Sequence, residues 1–144
     1  IALEAAGWYW QFNSSKGYMH NGVTRTPSTW GSTLESSLWR PDRDPCTLLL
    51  GAGWRIPPSD EWTKADGNPQ NWKNVNDSYQ SALKLHASGY LNTSGNLIGR
   101  GIDGSYASSV AYSTEFGYQL NVGASKSVLE PGNKLNGYSI RCIK

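Results

Sequence analysis

Long hydrophobic runs are missing from this chain of 144 residues: the longest, Leu48-Leu49-Leu50, falls far short of a bilayer crossing, and no membrane insertion is expected. A dominant charge is missing too. Thirteen Lys and Arg against eleven Asp and Glu leave +2, and the basic residues are scattered without a run. That removes the electrostatic footprint of a nucleic-acid binder. Histidine is scarce, with only His20 and His86, and no third ligand stands at metal spacing. A lone histidine is ordinarily a surface or hydrogen-bonded structural residue. No Gly-x-Ser-x-Gly elbow occurs. Cysteine is limited to Cys46 and Cys142, which excludes the CxxC redox and zinc patterns. Two free buried thiols or one long-range disulfide remain. The disulfide is the favoured reading, and it would close a loop of about a hundred residues, contributing roughly 4–5 kcal/mol in chain-entropy terms. Such a bond persists only in oxidising surroundings.

What fills these gaps is glycine, small polar residues and aromatics. Hydrophobic residues make up 38% and charged residues 17%, while 16 Gly, 7 Trp and 8 Tyr stand out. Chains this aromatic fold rather than stay disordered. The length suits one domain over residues 1–144, enough to bury about two thirds of its unfolded surface. The start at Ile1, without a Met, reads as a processed or excised piece of a longer, multidomain protein.

Along the chain, Gly7-Trp8-Tyr9-Trp10-Gln11-Phe12 is strand-like and runs into the turn composition Asn13–Gly17. From Asn21 to Pro45 the sequence predicts a long loop, with a short helix around Thr33–Leu38 and with Trp30 and Trp39 pinning the loop to the core. The clearest helix is Ser59–Ala65, with Ser59 as its cap, Asp60 and Glu61 at the positive end of the dipole, and Gly67-Asn68-Pro69 as its stop. A second helix is predicted over Asn74–Leu83. Strands are predicted at Lys84–Leu91, Tyr106–Tyr112, Gly117–Val122 and Gly137–Ile143, the last two by their alternation. The segment Gly123–Asn136 between them reads as a polar loop. The fold class is α+β.

Two segments carry a family likeness. Asp44-Pro45-Cys46, then Gly53-Trp54-Arg55-Ile56-Pro57 and Glu61-Trp62, resembles a "DPC…GWRLPT..EW" signature, and Gly137-Tyr138-Ser139-Ile140-Arg141-Cys142 resembles "NGFSVRC". Tyr9–Tyr18 and Ala82–Tyr90 add further likeness. Together these resemble the Fibrobacter succinogenes major paralogous domain family of bacterial surface and secreted proteins. The resemblance implies a C-type lectin-like fold: a small twisted antiparallel sheet, one or two helices and long packed loops. It also implies that Cys46 pairs with Cys142. Pro58 stands where the signature has a capping threonine, so Ser59 is expected to cap the helix.

The same fold serves copper-using formylglycine-generating enzymes, which need a pair of active-site cysteines, and iron-dependent sulfoxide synthases, which need a histidine cluster. Here both cysteines are claimed by the bridge and the cluster is missing, so no enzyme, metal or cofactor is expected. Calcium-dependent lectins of this fold use Glu-Pro-Asn with Trp-Asn-Asp. Glu130-Pro131-Gly132-Asn133 carries an inserted glycine, and Trp72–Asp77 is spread by intervening residues. What remains is a surface of Tyr, Trp, Ser, Asn and Gly, the mixture paratopes use. The expectation is a non-catalytic extracellular module of a bacterial surface, fimbrial or phage tail protein. It would bind a glycan or protein on a cell surface through Tyr106, Ser108, Tyr112, Tyr118, Asn121, Asn133 and Lys134. A structural or assembly domain without its own ligand is the alternative.

Overall fold

A computed structural model describes residues 8–34 and 37–144. The aromatic opening forms β1 (Trp8–Gln11), which turns at Asn13 into β2 (Gly17–His20), followed by β3 (Arg25–Thr26). Two short strands, β4 (Tyr90–Leu91) and β5 (Leu97–Ile98), and β9 (Gly137–Tyr138) complete a six-stranded sheet of order β3-β2-β1-β9-β4-β5. All of its neighbouring strands pair antiparallel. A second, three-stranded antiparallel sheet consists of β6 (Gly104–Ala111), β7 (Phe116–Val122) and β8 (Ser127–Asn133). Single parallel bridges, Gly89 to Gly104 and Tyr106 to Ser139, fasten the two sheets together. The chain is therefore α+β and mostly sheet, with two sheets where the sequence led us to expect one.

The helices are α1 (Pro45–Leu50), α2 (Ser59–Asp66) and α3 (Val75–Gln80). α1 escaped the sequence reading. Its signal is Asp44-Pro45: the Asp44 carboxylate accepts from Cys46 N at 2.8 Å, and proline occupies the first turn, where its missing N–H costs nothing. The second Asp44 oxygen accepts from Ile56 N at 3.0 Å, so one buried carboxylate ties the helix start to the extended segment before α2. α2 lies where expected, but Ser59 is its first helical residue rather than its cap. Pro58 holds the cap position and supplies no side-chain bond. α3 is shorter than predicted and begins after Asn74, whose side chain accepts from Asp77 N.

Other boundaries moved as well. Of Lys84–Leu91 only Tyr90 and Leu91 are strand, and Gly137–Ile143 contracts to β9 plus single bridges at Ser139 and Ile143. The supposed polar loop Gly123–Asn136 contains β8. Pro131 and Gly132 are tolerated there because β8 is an edge strand, and they face Tyr118 and Gly117 on β7. The predicted helix around Thr33–Leu38 falls partly outside the described residues at Glu35 and Ser36, and Thr33, Leu34, Ser37 and Leu38 are not helical.

The pinning role of the loop tryptophans is visible. Trp39 is buried 5.2 Å from Phe12, ring to ring, and its Nε1 donates to Arg43 O. Trp30 packs 4.6 Å from Tyr18, and its Nε1 donates to Thr93 O at 2.9 Å. One core cluster gathers Phe12, Trp39, Cys46, Ile56 and Tyr138. Another gathers Trp62 and Trp72 with Tyr106, Leu120 and Val122, so α2 covers one face of the three-stranded sheet. Cys46 and Cys142 are joined by a disulfide across 96 residues. Among the described residues no helix is long and apolar enough to cross a membrane.

Candidate functional site

The face of the three-stranded sheet turned away from α2 is polar, although much of it is buried. Gln119 and Asn121 alternate with Leu120 and Val122 on β7, so they share that face. Each has a cross-strand partner in register. Gln119 opposes Glu130 and donates from Nε2 to Oε1 at 3.3 Å. Asn121 opposes Ser105 and donates from Nδ2 to its Oγ at 2.9 Å. A carboxylate only accepts, so the Glu130 contact fixes the orientation of the Gln119 amide.

These groups line a concavity of about 430 Å³, which Tyr90 of β4 and Tyr138 of β9 also line from the larger sheet. Asp103, Asn133 and Asn136 complete its polar wall, and Phe116 adds an aromatic edge. The volume is within the range of small-molecule sites. Gln119 and Asn121 are only 5% and 7% exposed, yet Gln119 Oε1 and Asn121 Oδ1 have no hydrogen-bond partner among the described residues. Buried acceptors left unpaired cost roughly 1–3 kcal/mol each, so they call for an explanation.

Tyr138 is placed by its neighbours. Asn136 Nδ2 donates to its Oη at 2.9 Å, and Gly132 lies so close beneath that hydroxyl that a Cβ would collide with it. Burial above all, with Tyr90 and Glu130 adding to it, pushes the Tyr138 phenol well above its ordinary range despite the Asn136 bond. The phenol therefore stays protonated at any physiological pH. Two carboxylates, Asp103 and Glu130, line the concavity against one ammonium, Lys126, which sits 3.4 Å from Glu130 Oε1. Asp103 has no ion-pair partner among the described residues.

The residues singled out from sequence separate in space. Asn121 and Asn133 line the concavity. Tyr106 is a core residue whose hydroxyl donates to His86 O at 2.7 Å. Ser108 is fully buried, and Lys134 is buried with its ammonium 4.6 Å from the Phe12 ring centroid. Tyr112 is exposed and meets the half-buried Tyr118 edge to face at 5.5 Å. Sequence reasoning did not place Gln119, Asp103, Tyr90 or Tyr138 at a site, and it weighed Glu130 only within a near-miss calcium motif. The Gln119/Asn121 alternation was the available signal.

The near-miss lectin motifs have structural duties. Trp72 is in the core, Asn74 caps α3, and Asp77 Oδ2 accepts from Lys73 N at 2.9 Å. His20 Nδ1 accepts from Gly22 N, and burial, with Arg100 and Arg25 nearby, lowers its pKa. Among the described residues, no group of three or more His, Cys, Asp or Glu side chains converges to hold a metal ion. In comparisons with family models, curated proteins and solved structures, the chain matches none.

Proposed function

We propose that this chain is a non-catalytic, extracellular binding module of C-type lectin-like architecture that engages a glycan or protein on a cell surface. The binding site is the polar concavity between the two sheets, with Asn133 and Phe116 in its lining. The observation that carries the proposal is the concavity itself, whose polar wall is built on two buried amides of β7, Gln119 and Asn121, each held in place by a cross-strand hydrogen bond. A polar wall ordered before binding lowers the entropy cost of engaging a ligand. The disulfide supports an oxidising location, because such bonds are rare in reducing compartments.

The test is a glycan and protein array probed with the folded domain, alongside a Gln119→Ala/Asn121→Ala variant. Binding that the double variant loses supports the proposal, and silence from a correctly folded sample overturns it. The exposed leucines 48–50 of α1 favour a second reading, a structural or assembly domain docked within a larger surface protein. Under that reading Leu49→Asp would impair assembly of the parent protein while the cleft variants would not.

A further inference from the structure

The turn between β2 and β3 brings together a reactive set of groups apart from the concavity. We infer that Asn21 is a self-modifying residue. Its side-chain amide is displaced by the backbone nitrogen of Gly22, with the His20 imidazole as general base, leaving aspartate or isoaspartate at the tip of the β2–β3 hairpin.

The nucleophile is the Gly22 amide. Its N–H donates to His20 Nδ1 at 3.0 Å, so the proton that must leave already points at a base. Only a neutral ring accepts at Nδ1, and burial, with Arg100 and Arg25 nearby, lowers the His20 pKa and favours that form. The electrophile is the Asn21 carboxamide, folded forward along the turn. Its Oδ1 accepts from Val23 N and Thr24 N, both at 2.8 Å. Two N–H groups at that distance polarise the carbonyl and stay in place as negative charge builds on its oxygen, as in an oxyanion hole. Access is open as well. Residues 21–24 are all exposed, and nothing lies within 4 Å of the place a Gly22 Cβ would take, so the nitrogen is unshielded and water reaches the product.

In the first step a bond forms between Gly22 N and Asn21 Cγ, the Gly22 proton passes to His20 Nδ1, and the Cγ–Nδ2 bond breaks. Nδ2 leaves as ammonia, taking the proton back from the imidazolium. Water then opens the resulting succinimide at either carbonyl, giving aspartate or, where the chain is rerouted through the side chain, isoaspartate.

The chain carries a second Asn-Gly pair, Asn136-Gly137, without this geometry. Gly137 is buried in β9, in register with Gln11 and Leu91, and a Cβ on it would stand 3.1 Å from the Trp30 ring. Asn136 Nδ2, the would-be leaving group, donates to Tyr138 Oη at 2.9 Å. Local sequence ranks the two pairs alike, and the fold separates them. The consequence at Asn21 falls on the edge of the larger sheet, where β3 is held by two pairs, Met19 with Thr26 and His20 with Arg25. Isoaspartate lengthens the backbone directly after His20, and either product lowers the formal charge of +2 by one.

The experiment ages the folded domain, disulfide intact, in warm neutral buffer beside a sample unfolded in urea. Peptide mapping by mass spectrometry follows both Asn-Gly pairs, and isoaspartyl methyltransferase labelling reports the isomer. In the folded domain Asn21 is expected to convert at least about tenfold faster than Asn136, which must wait for local opening of β9. An acidic isoform should appear on ion exchange at the Asn21 rate, and in urea the two pairs should convert alike. His20→Gln keeps an acceptor but no base. It should slow Asn21 at least about tenfold, with an unchanged melting temperature, where enzymic general bases supply roughly a hundredfold or more. Equal conversion of the two pairs in the folded domain, or none at Asn21, overturns the inference. So does an Asn21 rate that His20→Gln leaves untouched. The parent chain gives a check that needs no variant: folded Asn21 should convert faster than the same residue in urea, and a slower folded rate overturns the assignment of His20 as base.

Discussion

Gln119 and Glu130 face each other across β7 and β8, joined by a single Nε2-to-Oε1 hydrogen bond that leaves the other end of the amide without a partner. An amide half-satisfied in this way is a poor choice for stability alone. Gln119→Met should therefore be neutral or stabilising by up to about 1 kcal/mol in urea unfolding, because the orphaned acceptor disappears with the bond. A loss larger than that would mean that the amide oxygen has a partner in solution. The same variant should lose ligand capture.

The Cys46–Cys142 bridge closes 96 residues of separation and joins α1 to the segment after β9. Breaking it by Cys46→Ala/Cys142→Ala, or with a reducing agent, should lower unfolding free energy by about 4–5 kcal/mol in chain-entropy terms. Urea melts of oxidised and reduced protein check this. Coincident curves would contradict it.

Asp44 holds two amides with one carboxylate, Cys46 N at 2.8 Å and Ile56 N at 3.0 Å. Asp44→Ala removes a helix cap, worth about 1 kcal/mol, and strands a buried N–H, worth about 1–3 kcal/mol. A combined loss of roughly 2–4 kcal/mol is expected from thermal or urea melts. Asp44→Asn keeps one acceptor and should recover part of it.

The α-helical cap also explains what was legible in the sequence. Helix α2 was readable because Pro58, the acidic first turn and Gly67 are all local signals. α1 was not, because its strongest mark is a carboxylate that also serves Ile56, twelve residues away, and because leucines that point to solvent mimic a core run. β8 was hidden by Pro131 and Gly132, which read as a turn until β7 is known to lie beside them. The strand residues Gln119 and Asn121 looked like the solvent side of an alternating strand. They are buried all the same, on the face of the sheet where Tyr90 and Tyr138, from other parts of the chain, line the same concavity. Tyr106 looked like a surface aromatic because nothing local announces that Trp62 packs on it, ring centroids 6.0 Å apart. Local chemistry wrote the ends of helices into the sequence. Which face of a strand meets water was decided by contacts across the chain.

Asp66 closes α2 at the negative end of its dipole and accepts a hydrogen bond from Ser127 Oγ. Burial raises its pKa, and the Ser127 bond only partly opposes that. A raised folded value means that the native state holds the proton more tightly. The stability it contributes is complete below the unfolded pKa near 4 and is lost as pH rises through the folded value. Asp66→Asn, which keeps the acceptor for Ser127, should melt above the parent at pH 7, and the advantage should vanish at pH 3. A gain that persists undiminished in acid would show that the carboxylate's charge is not the cause.

Pro131 stands on the outermost strand of the smaller sheet, on the rim of the cleft. Lacking an N–H, it breaks the row of donors that a neighbouring polypeptide would need in order to zip alongside. A second polypeptide therefore meets an interrupted ladder along this border, and the smaller sheet ends at three strands.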